Sequence, residues 1–217
     1  SLAIETLAEL NRQSRRFFLA VGFFKPHLPF NAPKKYWDLY DPATFAVEGQ
    51  PKRTRGAPPV AYPDHLELGG YQGVPEDEDV SPELARELRH GYYACVSYVD
   101  AQIGRLLRAL NTLSLEGNTI VVLLGDHGYS LGEADHWCKD TNFELDTRTP
   151  LIIRVPSMKQ PGVATEALTE YVDLYPTLAE LAQLTPPSSL DGGSLAHLLD
   201  DPSAKGHDIV LSQFSRP

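Results

Sequence analysis

The stretch NTIVVLLGDHG, residues 118–128, decides the fold class, because it joins an apolar run of strand length to a polar turn. Residues 119–125 are β-branched or apolar without polar alternation, which is typical of a strand covered on both faces, as in a parallel sheet. We therefore expect a central strand here. Asp126, His127 and Gly128 follow its carboxyl end, where open α/β sheets place their sites.

Further apolar runs lie on both sides of this strand. FFLAVGF (17–23) and TPLIIRVP (149–156) are predicted strands, and HDIVLSQF (207–214) is the candidate for a last one. Helices are predicted near the start of the chain, in KKYWDLY (34–40), and over residues 173–184. Strands that alternate with helices indicate an α/β fold with a mostly parallel sheet flanked by helices.

Ser81 begins the longest predicted helix. It is a good N-cap, and Pro82 and Glu83 suit the first turn. From Leu84 to Leu110, apolar and aromatic residues recur at roughly the helical period of 3.6 residues, so one face should pack on a sheet.

Residues 41–80 form a long irregular region, rich in Pro, Gly and charge and without a sustained period. Connections of this length inside a compact domain usually carry function or mobility. We therefore expect this region to be functional, partly mobile, or both, and it is a candidate for shaping specificity.

Composition and charge exclude several classes of protein. A hydrophobic content of 42% supports a core, and a net charge of −10 disfavours nucleic acid or an anionic membrane as partner. No apolar run reaches the roughly 18 residues that span a bilayer. Cys95 and Cys138 lie outside any CxxC pair, which excludes a thiol-rich zinc site and predicts buried free thiols.

Asp126 and His127 are the candidate metal ligands, since a carboxylate beside an imidazole suits a divalent cation and Gly128 eases a sharp turn. The alternative is that Asp126 caps the next segment while His127 packs or faces solvent. Composition alone favours that alternative, because Asp-His pairs are common.

Four other residues are candidates for contact with a substrate. Lys25 and Lys139 could offset charge on a substrate oxyanion, although a single lysine is more often a solvated surface charge. His27 is a candidate general acid, or a loop histidine held by neighbouring carbonyls. His136 is expected at the mouth of the pocket.

Taken together, several segments resemble the sulfatase family of the alkaline-phosphatase-like superfamily, most closely the branch that includes iduronate-2-sulfatase. They occur in the same order as in the family. The combination of KPHxPF with a later DHG, LGE and Lys is specific to that family. The segments are FFLAVGFFKPHLPFNAPKKYWDLYDP, YYACVSYVDAQIGRLLRAL, TIVVLLGDHGYSLGEADHWCKDTNFE, TPLIIRVP and YVDLYPTLAELAQL.

The resemblance implies a sulfuric ester hydrolase that acts on a sulfated small molecule or saccharide. It places Asp126 and His127 at a divalent cation, usually calcium. Lys139 matches a lysine that contacts sulfate, His27 matches a histidine that contacts sulfate or assists the leaving group, and Lys25 is carried over beside it. A secreted, periplasmic or lysosomal location is also implied.

The family's formylglycine signature, C/S-x-P-x-R, is missing from the sequence, since Cys95 precedes VSYV and Cys138 precedes KDTN. We expect residues 1–217 to be the central-to-late part of a catalytic domain that is incomplete. A missing N-terminal segment would supply the formylglycine, and this segment or an oligomer partner would cover an exposed sheet edge.

Two other functions stay open at this point. One is a phosphodiesterase or phosphonate hydrolase of the same superfamily, which shares the metal-site layout. The other is a non-catalytic sulfatase-like module that binds a sulfated polymer.

Overall fold

The computed structural model describes residues 1–46, 53–62, 67–75, 80–156 and 158–214. The chain divides into two units: the first contains residues 1–116 and 127–148, and the second contains residues 117–126 and most of the chain from 149 onward. The helices are α1 (Leu2–Arg12), α2 (Lys34–Trp37), α3 (Pro82–Thr112), α4 (Glu144–Thr147), α5 (Leu174–Leu181) and α6 (Ala196–Asp200). The strands are β1 (Val121–Leu124), β2 (Ser130–Leu131), β3 (Trp137–Cys138) and β4 (Leu151–Arg154). Among the described residues, no helix is both long and apolar enough to cross a membrane.

The long helix α3 organises the first unit and begins as predicted. The Ser81 Oγ accepts a hydrogen bond from the Leu84 N–H at 3.2 Å, which caps the helix, and Pro82 occupies its first turn. The helix packs against α1, α2 and the short strand β2, rather than against a large sheet.

The core of the first unit draws residues from distant parts of the sequence. Each member is at most 8% exposed, and the members are Leu28, Phe30, Leu68, Ala85, Cys95, Trp137 and Cys138. Both cysteines are free and buried, which confirms the prediction from the sequence. The core therefore ties the KPHLPF segment, the irregular region and the strand pair β2–β3 to α3.

The second unit contains the predicted strands β1 and β4, paired antiparallel with Val121 opposite Arg154 and Leu124 opposite Leu151. Asp173, at the start of α5, is fully buried. Its carboxylate accepts hydrogen bonds from the backbone N–H groups of Glu170 and Gly193 and pairs with His207 at 2.8 Å. One buried carboxylate thus joins three segments of this unit.

Parallel pairing is not found within the described ranges, where both two-stranded sheets are antiparallel. The strand β1 has one partner there and Leu124 is 42% exposed, so its predicted central position is not seen. The run 17–23 forms no strand, and 207–214 contributes only a bridge between His207 and Leu168. An apolar run becomes a strand only where neighbouring backbone groups pair with it, and Phe18, 83% exposed, has no such cover.

Candidate active site

Three ionisable side chains from distant parts of the first unit meet in one cluster. The Lys139 Nζ lies 3.3 Å from the His27 Nε2, although 112 residues separate them in the sequence. Glu67 contacts both: its Oε2 is 2.6 Å from the Lys139 Nζ and its Oε1 is 3.1 Å from the His27 Nε2. The structure therefore brings together the two predicted catalytic residues and adds a carboxylate between them.

His27 lies in a tight turn that its neighbours hold in place. The His27 N–H donates to the Phe24 carbonyl at 3.1 Å, and the His27 Nδ1 lies 2.9 Å from the Leu28 carbonyl. Leu28, 2% exposed, anchors the turn in the core. The Lys25 ammonium donates to the carbonyls of His27 and Pro29, so in this structure it braces the turn. Its predicted contact with substrate stays a prediction.

Lys139 leaves the strand pair β2–β3 directly after Cys138. Trp137 and Cys138 are 6% and 2% exposed, so their burial fixes where the next side chain emerges. Cys138 has a φ of 69°, a left-handed conformation that is uncommon outside glycine. This sharp change of direction places Lys139 beside His27 instead of continuing the strand.

Glu67 is the functional candidate that motif analysis missed. It belongs to a short helical turn, Glu67–Gly70, inside the irregular region 41–80. The next residue, Leu68, is 1% exposed and part of the core. The only available signal was the length of that region, which predicted a role in the site without indicating a residue.

The cluster is open enough to receive a ligand and polar enough to bind an anion. The side chains of His27, Glu67 and Lys139 are 33%, 25% and 18% exposed. The His27 Nδ1 faces the Leu28 carbonyl, and its Nε2 faces both the Glu67 carboxylate and the Lys139 ammonium. The arrangement therefore combines an ammonium and an imidazole with one carboxylate.

The predicted metal ligands Asp126 and His127 are both exposed. The His127 Nδ1 is 2.8 Å from the Gly128 carbonyl. When this nitrogen carries the proton, the lone pair is on Nε2, which is the form of a metal-binding histidine. Asp126 ends the 117–126 segment of the second unit, and His127 begins the return to the first.

One carboxylate and one imidazole fit a divalent cation only in part, because calcium takes about 6–8 oxygen ligands. In the part of the chain that the structure describes, no group of three or more His, Cys, Asp or Glu side chains could hold a metal. The metal assignment of Asp126 and His127 therefore stays a prediction.

His136 does not lie at a pocket mouth, where the sequence had placed it. It is 2% exposed, and its Nε2 lies 3.3 Å from Asp146 Oδ2. Ser130 and Thr141 also donate hydrogen bonds to this carboxylate. Burial alone would raise the pKa of Asp146, but the hydrogen bonds from His136, Thr141 and Ser130 outweigh it and lower the pKa. In this position His136 stabilises the segment that follows β3, and a substrate contact would require it to be uncovered.

Neither cysteine is suited to act as a nucleophile. Burial raises the pKa of Cys138 to about 11, and the Tyr129 hydroxyl donates to its Sγ at 3.2 Å. Burial also raises the pKa of Cys95, which is fully buried in α3. The thiolate is the reactive form, so both thiols are inert at neutral pH.

Comparison with known proteins shows which proteins the chain resembles. The chain is 35% identical to human iduronate 2-sulfatase over 85% of its own length and 39% of the relative's. The phosphonate monoester hydrolase of Silicibacter pomeroyi superposes with a TM-score of 0.78 at 30% identity, covering 94% of this chain and 41% of the other. A structure solved with its substrate D-glucosamine-2-N,6-O-disulfate matches at 32% identity and a TM-score of 0.55, over 60% of this chain and 27% of the other.

The chain thus spans about 40% of the length of the first two proteins. The similar solved structures have sulfatase or alkaline-phosphatase-like folds. The family model described as Sulfatase matches residues 1–184. Because that match covers most of the 217 residues, the chain belongs to the sulfatase family.

Proposed function

We propose that this chain supplies part of the active site of a sulfuric ester hydrolase that acts on a sulfated saccharide. The observation that carries the proposal is the meeting of His27 and Lys139 at 3.3 Å in a partly exposed cluster. Besides a nucleophile, cleavage of a sulfate ester needs a cation that offsets charge and a proton donor at the leaving group, and these two residue types meet here.

The reaction converts R–OSO₃⁻ and water into R–OH and HSO₄⁻. The Lys139 ammonium offsets negative charge on the sulfate oxygens as it grows in the transition state. An oxygen nucleophile from outside the described residues bonds to the sulfur, the bond between sulfur and the sugar oxygen breaks, and its electron pair goes to the sugar oxygen. His27 Nε2 donates the proton that the oxygen takes up and is reprotonated from solvent.

Sulfatases generally use a divalent metal and a formylglycine. In this proposal Asp126 and His127 contribute two ligands to a divalent cation, calcium being the expected one, with other ligands from outside the described residues. Bound there, the cation would polarise a sulfate oxygen. Cys95 and Cys138 do not fit the formylglycine position, because both are buried and lack the signature sequence.

The proposal is tested by assaying the full-length protein that contains this sequence. We expect hydrolysis of 4-nitrophenyl sulfate and of a 6-sulfated or 2-sulfated amino sugar, with loss of activity after prolonged chelation. A full-length protein that binds these esters without turnover would instead support a non-catalytic sulfatase-like module.

The likeness to a phosphonate monoester hydrolase, at a TM-score of 0.78, favours that activity as the second candidate. Its substrates also carry a single negative charge that Lys139 could offset. Phenyl phosphonate monoesters assayed beside the sulfate esters separate the two readings by the ratio of kcat/KM values.

A further inference from the structure

We propose that Glu67 is a positioning residue, which holds His27 as a leaving-group acid and keeps Lys139 beside it. This inference rests on the proposed function and extends it to a carboxylate in the irregular region 41–80. Glu67 touches no reacting atom in this scheme and acts through the two residues that do.

The geometry assigns one oxygen of the carboxylate to each partner. Oε1 lies 3.1 Å from His27 Nε2, and Oε2 lies 2.6 Å from Lys139 Nζ. The Lys139 Nζ and the His27 Nε2 are themselves only 3.3 Å apart, and the Glu67 carboxylate contacts both. Glu67 thus joins the two side chains from within the chain.

Glu67 also selects the form of the His27 ring. The Nδ1 faces the Leu28 carbonyl, which can only accept a hydrogen bond. The Nε2 faces both the Lys139 ammonium, which can only donate, and the Glu67 carboxylate, which can only accept, so Glu67 is the partner that a proton on Nε2 requires. The other groups close to this ring are the Phe24 side chain, with ring centroids 5.0 Å apart, and Lys25, which donates to the His27 carbonyl.

The backbone around Glu67 explains why its carboxylate stays in place. Leu68, 1% exposed, fixes the turn in the core, where it belongs to the same buried cluster as Cys138. Cys138 immediately precedes Lys139, so the segments that carry Glu67 and Lys139 are joined one residue away from the ion pair. A glutamate on a solvated loop would lack this second attachment.

When substrate binds, its ester oxygen competes for the Nε2–H of His27. The Oε2 of Glu67 remains on Lys139 and keeps the carboxylate near the ring. Loss of the Glu67 charge should therefore weaken proton donation more than it weakens sulfate binding.

The test uses Glu67→Gln in the full-length protein, which removes the charge and keeps the size. Two substrates are compared: 4-nitrophenyl sulfate, whose leaving group needs little protonation, and glucosamine 6-sulfate, whose alkoxide leaving group needs it. We expect kcat for the sugar ester to fall by about 10²-fold, as loss of general acid catalysis does, with little change in KM. The nitrophenyl ester should change only several-fold. Glu144→Gln, in an exposed pair with Arg148, is the matched control and should leave both rates unchanged.

Glu67→Asp keeps the charge on a shorter side chain and should restore part of the sugar-ester rate, which tests the proposal independently should the Gln variant fold poorly. The proposal would be overturned if Glu67→Gln lowered kcat equally for both substrates, or lowered it for neither. It would also be overturned if the variant had a lower KM and a higher kcat, because Glu67 would then be competing with sulfate for its binding position. Wild-type protein that hydrolyses neither ester would mark the failure of the proposed function itself, and this inference would fall with it.

Discussion

Lys139 is the residue on which the proposed chemistry depends most directly, because its ammonium reaches both His27 and Glu67. Lys139→Ala in the full-length protein should lower kcat for 4-nitrophenyl sulfate by at least about 10²-fold, as loss of an oxyanion-stabilising group does. Lys34→Ala, at a lysine whose side chain is 85% exposed, is the control and should retain full activity. An unchanged rate for Lys139→Ala would remove this residue from the site.

Asp146 gives the first unit a defined sensitivity to acid. Its pKa is lowered from the ordinary value of 3.8, so the native state binds this proton less readily than the unfolded chain. The stability that this carboxylate provides is complete above its ordinary pKa and is lost as pH falls through the lower native pKa. Asp146→Asn should therefore show a smaller fall in urea midpoint between about pH 5 and about pH 3 than the wild type.

In the second unit the pKa of Asp173 is also lowered, so the Asp146→Asn variant should keep part of the acid sensitivity.

At neutral pH, Asp146→Ala should lower the free energy of unfolding by about 3–5 kcal/mol, since it leaves the buried donors of His136, Ser130 and Thr141 without an acceptor. Asp38→Ala, at an exposed aspartate, should stay within about 0.5 kcal/mol of wild type. Equal effects at both positions in urea titrations would contradict the structural role of Asp146.

The sequence could indicate His27 and Lys139 as candidates because each lies in a motif, but it could not predict which carboxylate contacts both. Glu67 has no motif, and its position depends on Leu68 entering a core built from distant segments. His136 lies close to Lys139 in sequence, yet it is buried, and the left-handed turn at Cys138 sends the two side chains to different surroundings. Their roles in catalysis stay predictions until they are assayed.

At the scale of elements, local signals predicted helices better than strands. The cap at Ser81 and the apolar period predicted α3, and the structure has it over Pro82–Thr112. The strands β1 and β4 also lie within their predicted runs. The runs 17–23 and 207–214 are equally apolar but form no strand. A helix makes its backbone hydrogen bonds within its own segment, whereas a strand needs a neighbouring strand to supply them.

Gly128, in the turn after β1, packs so closely against α4 that a side chain at this position would not fit. An added Cβ would lie 1.8 Å from the Leu145 carbonyl oxygen, and the Gly128 N–H donates to the Asp146 carbonyl at 2.8 Å. Gly128→Ala should therefore lower the free energy of unfolding by about 1–3 kcal/mol, through forced movement of the backbone. Thermal unfolding of Gly117→Ala is the comparison, because its Cβ would meet nothing within 4 Å. Similar midpoints for the two variants would contradict the close packing at Gly128.

At the scale of the whole molecule, the described residues leave much apolar surface uncovered. Large side chains that remain more than half exposed include Phe18, Phe24, Ile152, Ile209 and Leu211. Exposed apolar surface and unpaired backbone favour association with other chains. Residues 1–217 prepared alone should therefore sediment as concentration-dependent oligomers, and a monomer over a wide concentration range would contradict this.

The same 217 residues should also be catalytically inert when prepared alone. Their two cysteines are buried and lack the formylglycine signature, and Asp126 and His127 provide two ligands where calcium takes about 6–8. The His27–Glu67–Lys139 cluster can bind an anion, but it has no nucleophile among the described residues. We expect no turnover of 4-nitrophenyl sulfate by the isolated chain, and turnover by the full-length protein at equal concentration. If the isolated chain were active and Lys139→Ala abolished that activity, the prediction would be wrong. The nucleophile would then lie within these residues, close to Lys139.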